Sequence, residues 1–210
     1  MNTIQQDLSN PTGMTQRSIL TAAQVILQSD GWAKFSMRKL AKSLGCVPGT
    51  IYLYYRDKSD LLQGVVDSSF DRLDETLSAL RSRHSDTSPV ALLRKGLYTY
   101  VDFGLRNSDV YQFAFLRCSD SIEQNQPRRV VQTIRSMVAR CIYERGFRSD
   151  LDIDCTTHAL WAAAHGITSL LITQSNLLSE SRGQVIEHVI TVALESLQAR
   201  DTAKAVGMTA

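Results

Sequence analysis

All four prolines of this 210-residue chain fall in the N-terminal tail or where a predicted helix begins, so none interrupts a helix. Proline breaks a helix interior but is tolerated in the first turn. Glycine is also sparse, at 11 residues, which disfavours a sandwich of short, turn-rich strands. We find no internal repeat, no low-complexity tract and no strand pattern. The sequence therefore predicts an all-α fold.

Apolar residues recur every three or four positions, and this spacing predicts the helices. The first helix ends at Gly31. A short helix begins at the N-cap Ser36 and ends at Leu44-Gly45, and a third runs from Pro48 to about Tyr55. A helix of about five to six turns follows from near Lys58. Further helices are expected at about 89–106, 109–118, 127–145, 151–174 and 181–200, with Gly146 closing the seventh as Phe147 folds back on Ile142.

Positive charge is concentrated near the start of the chain. Residues 1–60 carry seven Lys/Arg and four Asp/Glu, a balance of +3, whereas residues 61–210 carry 16 and 17, a balance of −1. This asymmetry suits a small anion-binding head on a neutral body, and the phosphate backbone of nucleic acid is one such anion. A short basic stretch is equally compatible with a solvated surface.

The remaining composition argues against several protein classes. The longest stretch without a charged side chain, residues 155–179, contains too many polar residues for a membrane span. The N-terminus has no signal-peptide pattern, so we expect a cytoplasmic protein. The four cysteines (Cys46, Cys118, Cys141 and Cys155) form no C-x-x-C pair and are expected to be reduced. No cofactor motif is apparent.

The two short helices around Gly45 form a helix-turn-helix candidate of about 20 residues. The segments Arg17-Ser-Ile-Leu-Thr-Ala-Ala23, Phe35-Ser-Met-Arg-Lys-Leu-Ala-Lys-Ser-Leu-Gly45 and Gly49-Thr-Ile-Tyr-Leu-Tyr-Tyr-Arg-Asp-Lys-Ser-Asp-Leu-Leu62 closely resemble the N-terminal domain of TetR-family transcriptional regulators. The resemblance covers about 50 residues in register. It departs at Val47, where the family usually has a Ser or Thr that can cap the recognition helix.

The resemblance implies a DNA-contacting surface around the third helix. Tyr52 and Tyr54 are expected to reach phosphates or base edges, and Leu53 to make apolar contact with bases. Thr50 suits a phosphate or a thymine methyl, Arg38 a guanine, and Lys58 a phosphate. Pro48 and Gly49 leave little side chain at the helix tip, and Ser36 is expected to contact phosphate as well as to cap its helix. We expect Ile51, Leu40 and Leu44 to be core residues instead.

The family also implies the architecture of the remaining chain. We expect a flexible tail at 1–12, a DNA-binding domain at 13–58, a ligand-binding and dimerisation domain at 59–200, and a second flexible tail at 201–210. The last two helices, about 155–178 and 182–199, are expected to form a four-helix bundle with a second copy. The stretch from Trp161 to Gly166 resembles the W-x-x-x-H-G signature of one C-terminal subclass.

An effector pocket is expected in the second domain, with Phe103, Tyr111, Phe115, Trp161 and His165 as candidate lining residues. Trp161 and His165 share a helix face and could present an indole N–H and an imidazole to a ligand. An aromatic stripe is more often core than pocket, and the Trp–His pair could equally be packed within the core.

Other chemistries are weakly supported. His158 and His165 lack a short-spaced partner for a metal site, and Asp150, Asp152 and Asp154 suit a helix first turn. No basic cluster marks Cys118, Cys141 or Cys155 for redox sensing, and no catalytic constellation is apparent. We expect a homodimeric, ligand-released repressor of a palindromic operator. The alternative is a helical small-molecule-binding or interaction protein without useful DNA affinity.

Overall fold

A computed structural model of the chain describes residues 14–83, 87–115, 125–174 and 181–198. Within these ranges the backbone forms nine α-helices and no β-strand, which confirms the all-α prediction. An isolated antiparallel bridge joins Phe147 to Gln198. The predicted tails at 1–12 and 201–210, and Cys118, lie outside the described residues.

The helices are α1 (Gln16–Asp30), α2 (Met37–Ser43), α3 (Pro48–Tyr52), α4 (Lys58–Arg83), α5 (Pro89–Arg106), α6 (Ser108–Phe115), α7 (Asn125–Tyr143), α8 (Ile153–Thr173) and α9 (Arg182–Glu195).

The chain divides into two compact units, Met1–Ser69 with Asp109–Ile122, and Phe70–Ser108 with Glu123–Ala210. This division lies inside α4, whereas the sequence boundary after residue 58 falls at the start of that helix. The first turns of α4 are buried in the first unit, where a Cβ on Gly64 would lie 3.1 Å from the Tyr55 ring. The assignment of residues 13–58 to DNA binding and of residues 59–200 to ligand binding and dimerisation stays a prediction.

Side-chain caps and one left-handed glycine shape the helix-turn-helix of the first unit. Thr15 and Ser18 form a capping box at the start of α1, and Ser36 caps α2. Gly45 ends the turn after α2 with a φ of 67°, a value that favours glycine. The Cys46 N–H donates to the Ala41 oxygen at 3.0 Å, so the chain reverses tightly before α3.

Helices α3 and α4 differ in length from the predictions. Helix α3 ends at Tyr52 rather than near Tyr55, because the Tyr54 and Tyr55 N–H groups both donate to the Ile51 oxygen, at 3.0 and 3.1 Å. Helix α4 then begins with Asp57 accepting from the Asp60 N–H at 2.8 Å. It extends over 26 residues, which is longer than the predicted five to six turns.

In the second unit, α5 and α8 pack against each other and both contact α7 and α9. Small residues permit close approach: a Cβ on Gly96 of α5 would lie 3.2 Å from the Met137 methyl of α7. The apolar core of this unit includes the fully buried Leu93, Leu97, Tyr100, Ile134 and Leu194.

Helix α7 ends at Tyr143, two residues before the predicted Arg145, and Gly146 is not the left-handed residue of its cap. Arg145 adopts the left-handed conformation, with a φ of 60°. The Gly146 N–H donates to the Cys141 oxygen at 2.8 Å, and the Arg145 N–H donates to the Ile142 oxygen at 3.1 Å. Glycine is needed next to this turn for space, because a Cβ at residue 146 would lie 2.7 Å from a Val90 methyl carbon.

Candidate functional site

Helix α3 presents apolar and aromatic side chains to solvent. Leu53 is 75% exposed, Val47 is 68% exposed and Tyr52 is 50% exposed, whereas Ile51 on the same helix is fully buried. Three exposed apolar or aromatic side chains within seven residues form a surface that suits contact with a partner. The expected core role of Ile51 is thus confirmed, and its neighbours remain outside the core.

The tip of α3 is narrow, as its sequence predicts. Pro48 is the first residue of the helix, and nothing lies within 4 Å of the position that a Cβ on Gly49 would occupy. Thr50 is half-buried at the following position. Little side chain therefore separates the backbone of this tip from an approaching surface.

Helix α2 contributes exposed positive charge beside α3. Ser36 accepts from the Lys39 N–H at 3.2 Å, and the Lys39 ammonium pairs with Asp30. Arg38 and Lys42 are exposed, and neither forms an ion pair within the described part of the chain. Arg38 therefore has its guanidinium available in the first turn of α2.

Lys58 begins α4 and is already engaged with the protein through part of its ammonium. Its Nζ donates to the Phe35 oxygen at 2.8 Å and lies 5.6 Å from the centre of the Phe35 ring. An ammonium carries three N–H groups, so the contact fixes the side chain without exhausting its donors.

Tyr54 has its hydroxyl turned inward. The hydroxyl donates to the Met14 carbonyl oxygen at 2.9 Å and joins the end of the α3 turn to the residues before α1. A tyrosine hydroxyl has one proton, so in this structure it is not available as a donor to phosphate. Contact of Tyr54 with DNA stays a prediction.

In the second unit, four side chains from α5 and α8 form a hydrogen-bonded chain. The Trp161 Nε1–H donates to the Tyr100 hydroxyl at 3.1 Å. That hydroxyl lies 3.4 Å from Nδ1 of His165, whose Nε2 lies 3.4 Å from Oγ of Ser169. Trp161 therefore donates its single N–H inside the protein, which agrees with the packed alternative and not with an N–H left free for a ligand.

Both ring nitrogens of His165 have a hydroxyl partner. The Tyr100 hydroxyl lies beside Nδ1 and Ser169 Oγ lies beside Nε2, and the tautomer of the ring decides which of them donates. Burial lowers the pKa of His165 below its ordinary value of 6.5, because desolvation disfavours the charged ring. The ring is therefore neutral at pH 7.

The other effector candidates fall into two groups. Phe103 is half-buried in the second unit, with its ring 5.2 Å from that of Phe70 in an edge-to-face arrangement. Tyr111 and Phe115 belong to the first unit, with rings 4.8 Å apart. Phe103 contacts neither Trp161 nor His165 in any ring stacking of the described residues. Their roles in a pocket stay a prediction.

The weaker chemistries find little support in the described residues. Asp152 caps α8 by accepting from the Cys155 N–H at 2.7 Å, and this hydrogen bond lowers its pKa. Burial raises the pKa of Cys141 to about 12, and hydrogen bonding to Asp152 raises that of Cys155. Neither thiol is thus activated for redox chemistry. No group of three His, Cys, Asp or Glu in the described ranges is placed to hold a metal ion.

Sequence reasoning missed two aromatic residues that organise these regions. Tyr100 is fully buried and accepts the Trp161 N–H, yet only its helical spacing from Leu93 and Leu97 distinguished it. Trp32 stacks flat on Phe113 with ring centres 3.9 Å apart, inside the first unit. No local pattern pairs residues so distant in sequence.

Comparison with known proteins agrees with this architecture. Residues 19–65 match the family described as bacterial regulatory proteins, tetR family. Residues 93–193, which include the W-x-x-x-H-G stretch, match the tetracyclin repressor-like C-terminal domain. The chain belongs to the TetR family. It is a TetR-family transcriptional regulator, and regulators of this family are generally non-enzymatic proteins that bind DNA and small-molecule effectors, typically as dimers.

Individual relatives are distant. The chain is 24% identical over 169 residues to YobS of Bacillus subtilis (strain 168), an uncharacterized HTH-type transcriptional regulator, covering 80% of this chain and 84% of YobS. A TetR/AcrR-family regulator of Thermobifida fusca YX-ER1 shares the fold with a TM-score of 0.68 and 20% identity, over 88% of this chain and 98% of that one. FadR of Bacillus subtilis, solved in complex with stearoyl-CoA, has a TM-score of 0.70 and 12% identity, over 88% and 100%.

Among the helices that the structure describes, none combines the length and apolar character needed to cross a bilayer. Helix α8, which contains most of the charge-free stretch, buries Leu160, Ala164, Ile167 and Leu171 against protein instead.

Proposed function

We propose that this TetR-family regulator is a repressor that binds a near-palindromic operator as a homodimer and is released by a small molecule. The observation that carries the proposal is the exposure of Tyr52 and Leu53 at the end of α3, beside Arg38 on α2, which forms no ion pair with another described residue. Apolar and aromatic groups read base edges, and cations neutralise phosphates. This surface combines both requirements within one helix-turn-helix.

In the proposed complex, the N-terminal part of α3 enters the major groove. The Gly49 tip permits close approach, Thr50 and Tyr52 reach phosphates or base edges, and Leu53 contacts bases. Arg38 offers two parallel donors to a guanine, the commonest specific contact in the groove. Ser36 and Lys58 contact phosphates, with the Lys58 side chain held in place by the Phe35 carbonyl.

We propose that α8 and α9, about residues 155–178 and 182–199, form the dimer interface. Val192 of α9 is 51% exposed, and Gly166 of α8 has no neighbour within 4 Å of its Cβ position. Both features suit a second copy packing closely on these helices. The DNA-binding domains of the two copies would then bind half-sites about 34–36 Å apart, or a multiple of that distance.

Ligand control requires a second conformation of the dimer, in which the DNA-binding domains no longer match the half-site spacing. This conformation must bind the effector more tightly than the DNA-binding conformation does. The described buried residues of the second unit are mainly apolar, and those that carry a hydroxyl group include Tyr100, Thr156, Thr157 and Thr168. An effector held among them would be mainly apolar. FadR, which shares the fold, was solved with stearoyl-CoA, a ligand whose acyl chain has this character.

The function is tested by selecting binding sites from a random duplex pool at physiological salt, with Tyr52→Ala in parallel. We expect an inverted repeat that the wild type enriches and the variant does not. A folded, dimeric sample, shown by native mass spectrometry to carry no small molecule, that enriches no sequence would contradict the proposal. That result would favour the alternative of an interaction or ligand-binding protein without useful DNA affinity.

The interface is tested separately by sedimentation of Val192→Glu. A buried, unpaired carboxylate should dissociate the dimer. Val25→Glu is the matched control, because Val25 is 60% exposed on α1, outside the proposed interface. A dimer that persists unchanged in Val192→Glu would place the interface elsewhere.

A further inference from the structure

Helix α3 begins without a side-chain cap, as α5 and α9 also do, whereas three other helices possess one. Thr15, Ser36 and Asp152 each accept a hydrogen bond from a backbone N–H of the helix they precede. Val47 holds the same N-cap position before α3 and makes no such bond. Its own backbone is regular, with its carbonyl oxygen accepting from the Thr50 N–H at 3.0 Å.

The absence of a capping side chain has an energetic consequence. A Ser, Thr, Asp or Asn at an N-cap stabilises a helix by about 1 kcal/mol relative to an apolar residue. Packing does not offset this loss, because Val47 is 68% exposed. Folding alone therefore does not explain valine at this position.

Val47 also belongs to a wider apolar surface. Of the six large hydrophobic residues exposed in the described ranges, three lie between residues 47 and 53. Two of them, Tyr52 and Leu53, are the residues already assigned to DNA contact. Exposed cations on α2 flank this surface, which favours a polyanion rather than a neutral partner.

Building on the proposed function, we propose that Val47 is a specificity-determining residue whose isopropyl group contacts the C5-methyl group of a thymine in each half-site. The residues at the start of a recognition helix lie nearest the base edges. In the major groove, the apolar feature that distinguishes one base is the thymine methyl. A valine side chain has one strongly preferred rotamer, so it meets this methyl with little loss of freedom.

The test removes the methyl from the DNA and the isopropyl group from the protein in turn. Each thymine of the selected operator is replaced by deoxyuridine, symmetrically in both half-sites, and affinities are measured for the wild type, Val47→Ser and Leu53→Ala. We expect the wild type to lose about fivefold to tenfold in affinity at one thymine pair, the size of a lost base-specific contact. Val47→Ser should bind the thymine and deoxyuridine operators equally.

The stability of Val47→Ser shows whether misfolding explains a loss of thymine discrimination. Serine supplies the missing cap, so this variant should unfold at the same or higher urea concentration than the wild type. A stable variant that loses thymine discrimination assigns the effect to the contact. Leu53→Ala should keep the wild-type sensitivity at the same thymine pair.

Three results would overturn the inference. In the first, Val47→Ser loses as much affinity as the wild type when thymine is replaced by deoxyuridine. In the second, this loss of affinity disappears in Leu53→Ala instead, so Leu53 is the residue that contacts the methyl group. A wild type that is insensitive to deoxyuridine at every thymine has no such contact. Failure to select any operator is distinguishable from all three, because it removes the proposed function and this inference with it.

Discussion

Lys58 Nζ donates to the carbonyl oxygen of Phe35 across 2.8 Å, which joins the first residue of α4 to the residue before the α2 N-cap. The ammonium is thus held at the junction of α2 and α4 before any DNA is present. A pre-positioned cation loses less conformational freedom when it meets a phosphate than a freely rotating lysine does.

Replacing Lys58 with Met keeps most of the side-chain stem and removes the charge. We expect weaker operator binding and a slope of log affinity against log salt that is smaller by about one, as for the loss of one phosphate contact. Lys39→Met is the control, since the Lys39 ammonium already pairs with Asp30 and should contribute less. Equal salt slopes for wild type and Lys58→Met, measured by fluorescence anisotropy, would remove Lys58 from the interface.

Alanine substitutions at two glycines of the first unit should have opposite effects on the free energy of unfolding. Gly45→Ala forces a side chain into a φ of 67° and should lower the free energy of unfolding by about 1–2 kcal/mol. Gly49→Ala meets open space within a helix, so its stability should be equal or higher by up to about 1 kcal/mol. Gly49→Ala should nevertheless weaken operator binding, because its methyl group widens the tip. Urea unfolding and DNA titration of both variants check this pair, and unimpaired binding by Gly49→Ala would argue against close approach.

The Tyr100 hydroxyl should contribute measurably to stability. Tyr100→Phe leaves the Trp161 N–H and His165 Nδ1 without this partner in a partly buried region, at a cost of about 1–3 kcal/mol in unfolding free energy. Tyr98→Phe on the same helix is the matched control, because its partner Glu187 is exposed and accessible to water. Equal shifts of the urea midpoint in the two variants would show that the Tyr100 hydroxyl stabilises the protein no more than the Tyr98 hydroxyl does.

Stability should depend on pH through His165. Its pKa is lowered by burial in the folded protein, so the unfolded chain binds more protons in the range below the ordinary value of 6.5. Stability is therefore fully present above about pH 6.5, declines as pH falls towards the folded pKa, and levels off below it. His165→Gln should flatten this part of the profile in urea unfolding between pH 7.5 and 5. Parallel profiles for the two proteins would mean that another group is responsible.

The fold was largely predictable because its signals are local. Helical spacing, the prolines at helix starts and the glycine turn at Gly45 each act within a few residues. The ends of several helices were predicted less accurately, because tertiary packing contributes to them. Arg145 takes the left-handed conformation at the end of α7, and a Cβ on the following Gly146 would lie 2.7 Å from a methyl carbon of Val90, a residue far away in sequence.

The candidate site was predictable to a smaller extent. The exposure of Tyr52 and Leu53 agrees with a recognition helix, and the resemblance pointed to both. The inward hydroxyl of Tyr54 was not foreseeable, since its acceptor Met14 lies 40 residues away in sequence. The same is true of Trp161, whose donor is used by Tyr100 on another helix. Such pairings depend on tertiary structure rather than on spacing.

The central claim, sequence-specific operator recognition through α3, is tested most directly by comparing two affinities. The ligand-free dimer is titrated at physiological salt with its selected site and with a scrambled duplex of the same length and composition. We expect the selected site to bind at least about a thousandfold more tightly, and Tyr52→Ala to lose most of that preference. Equal affinity of the wild type for both duplexes would contradict the account.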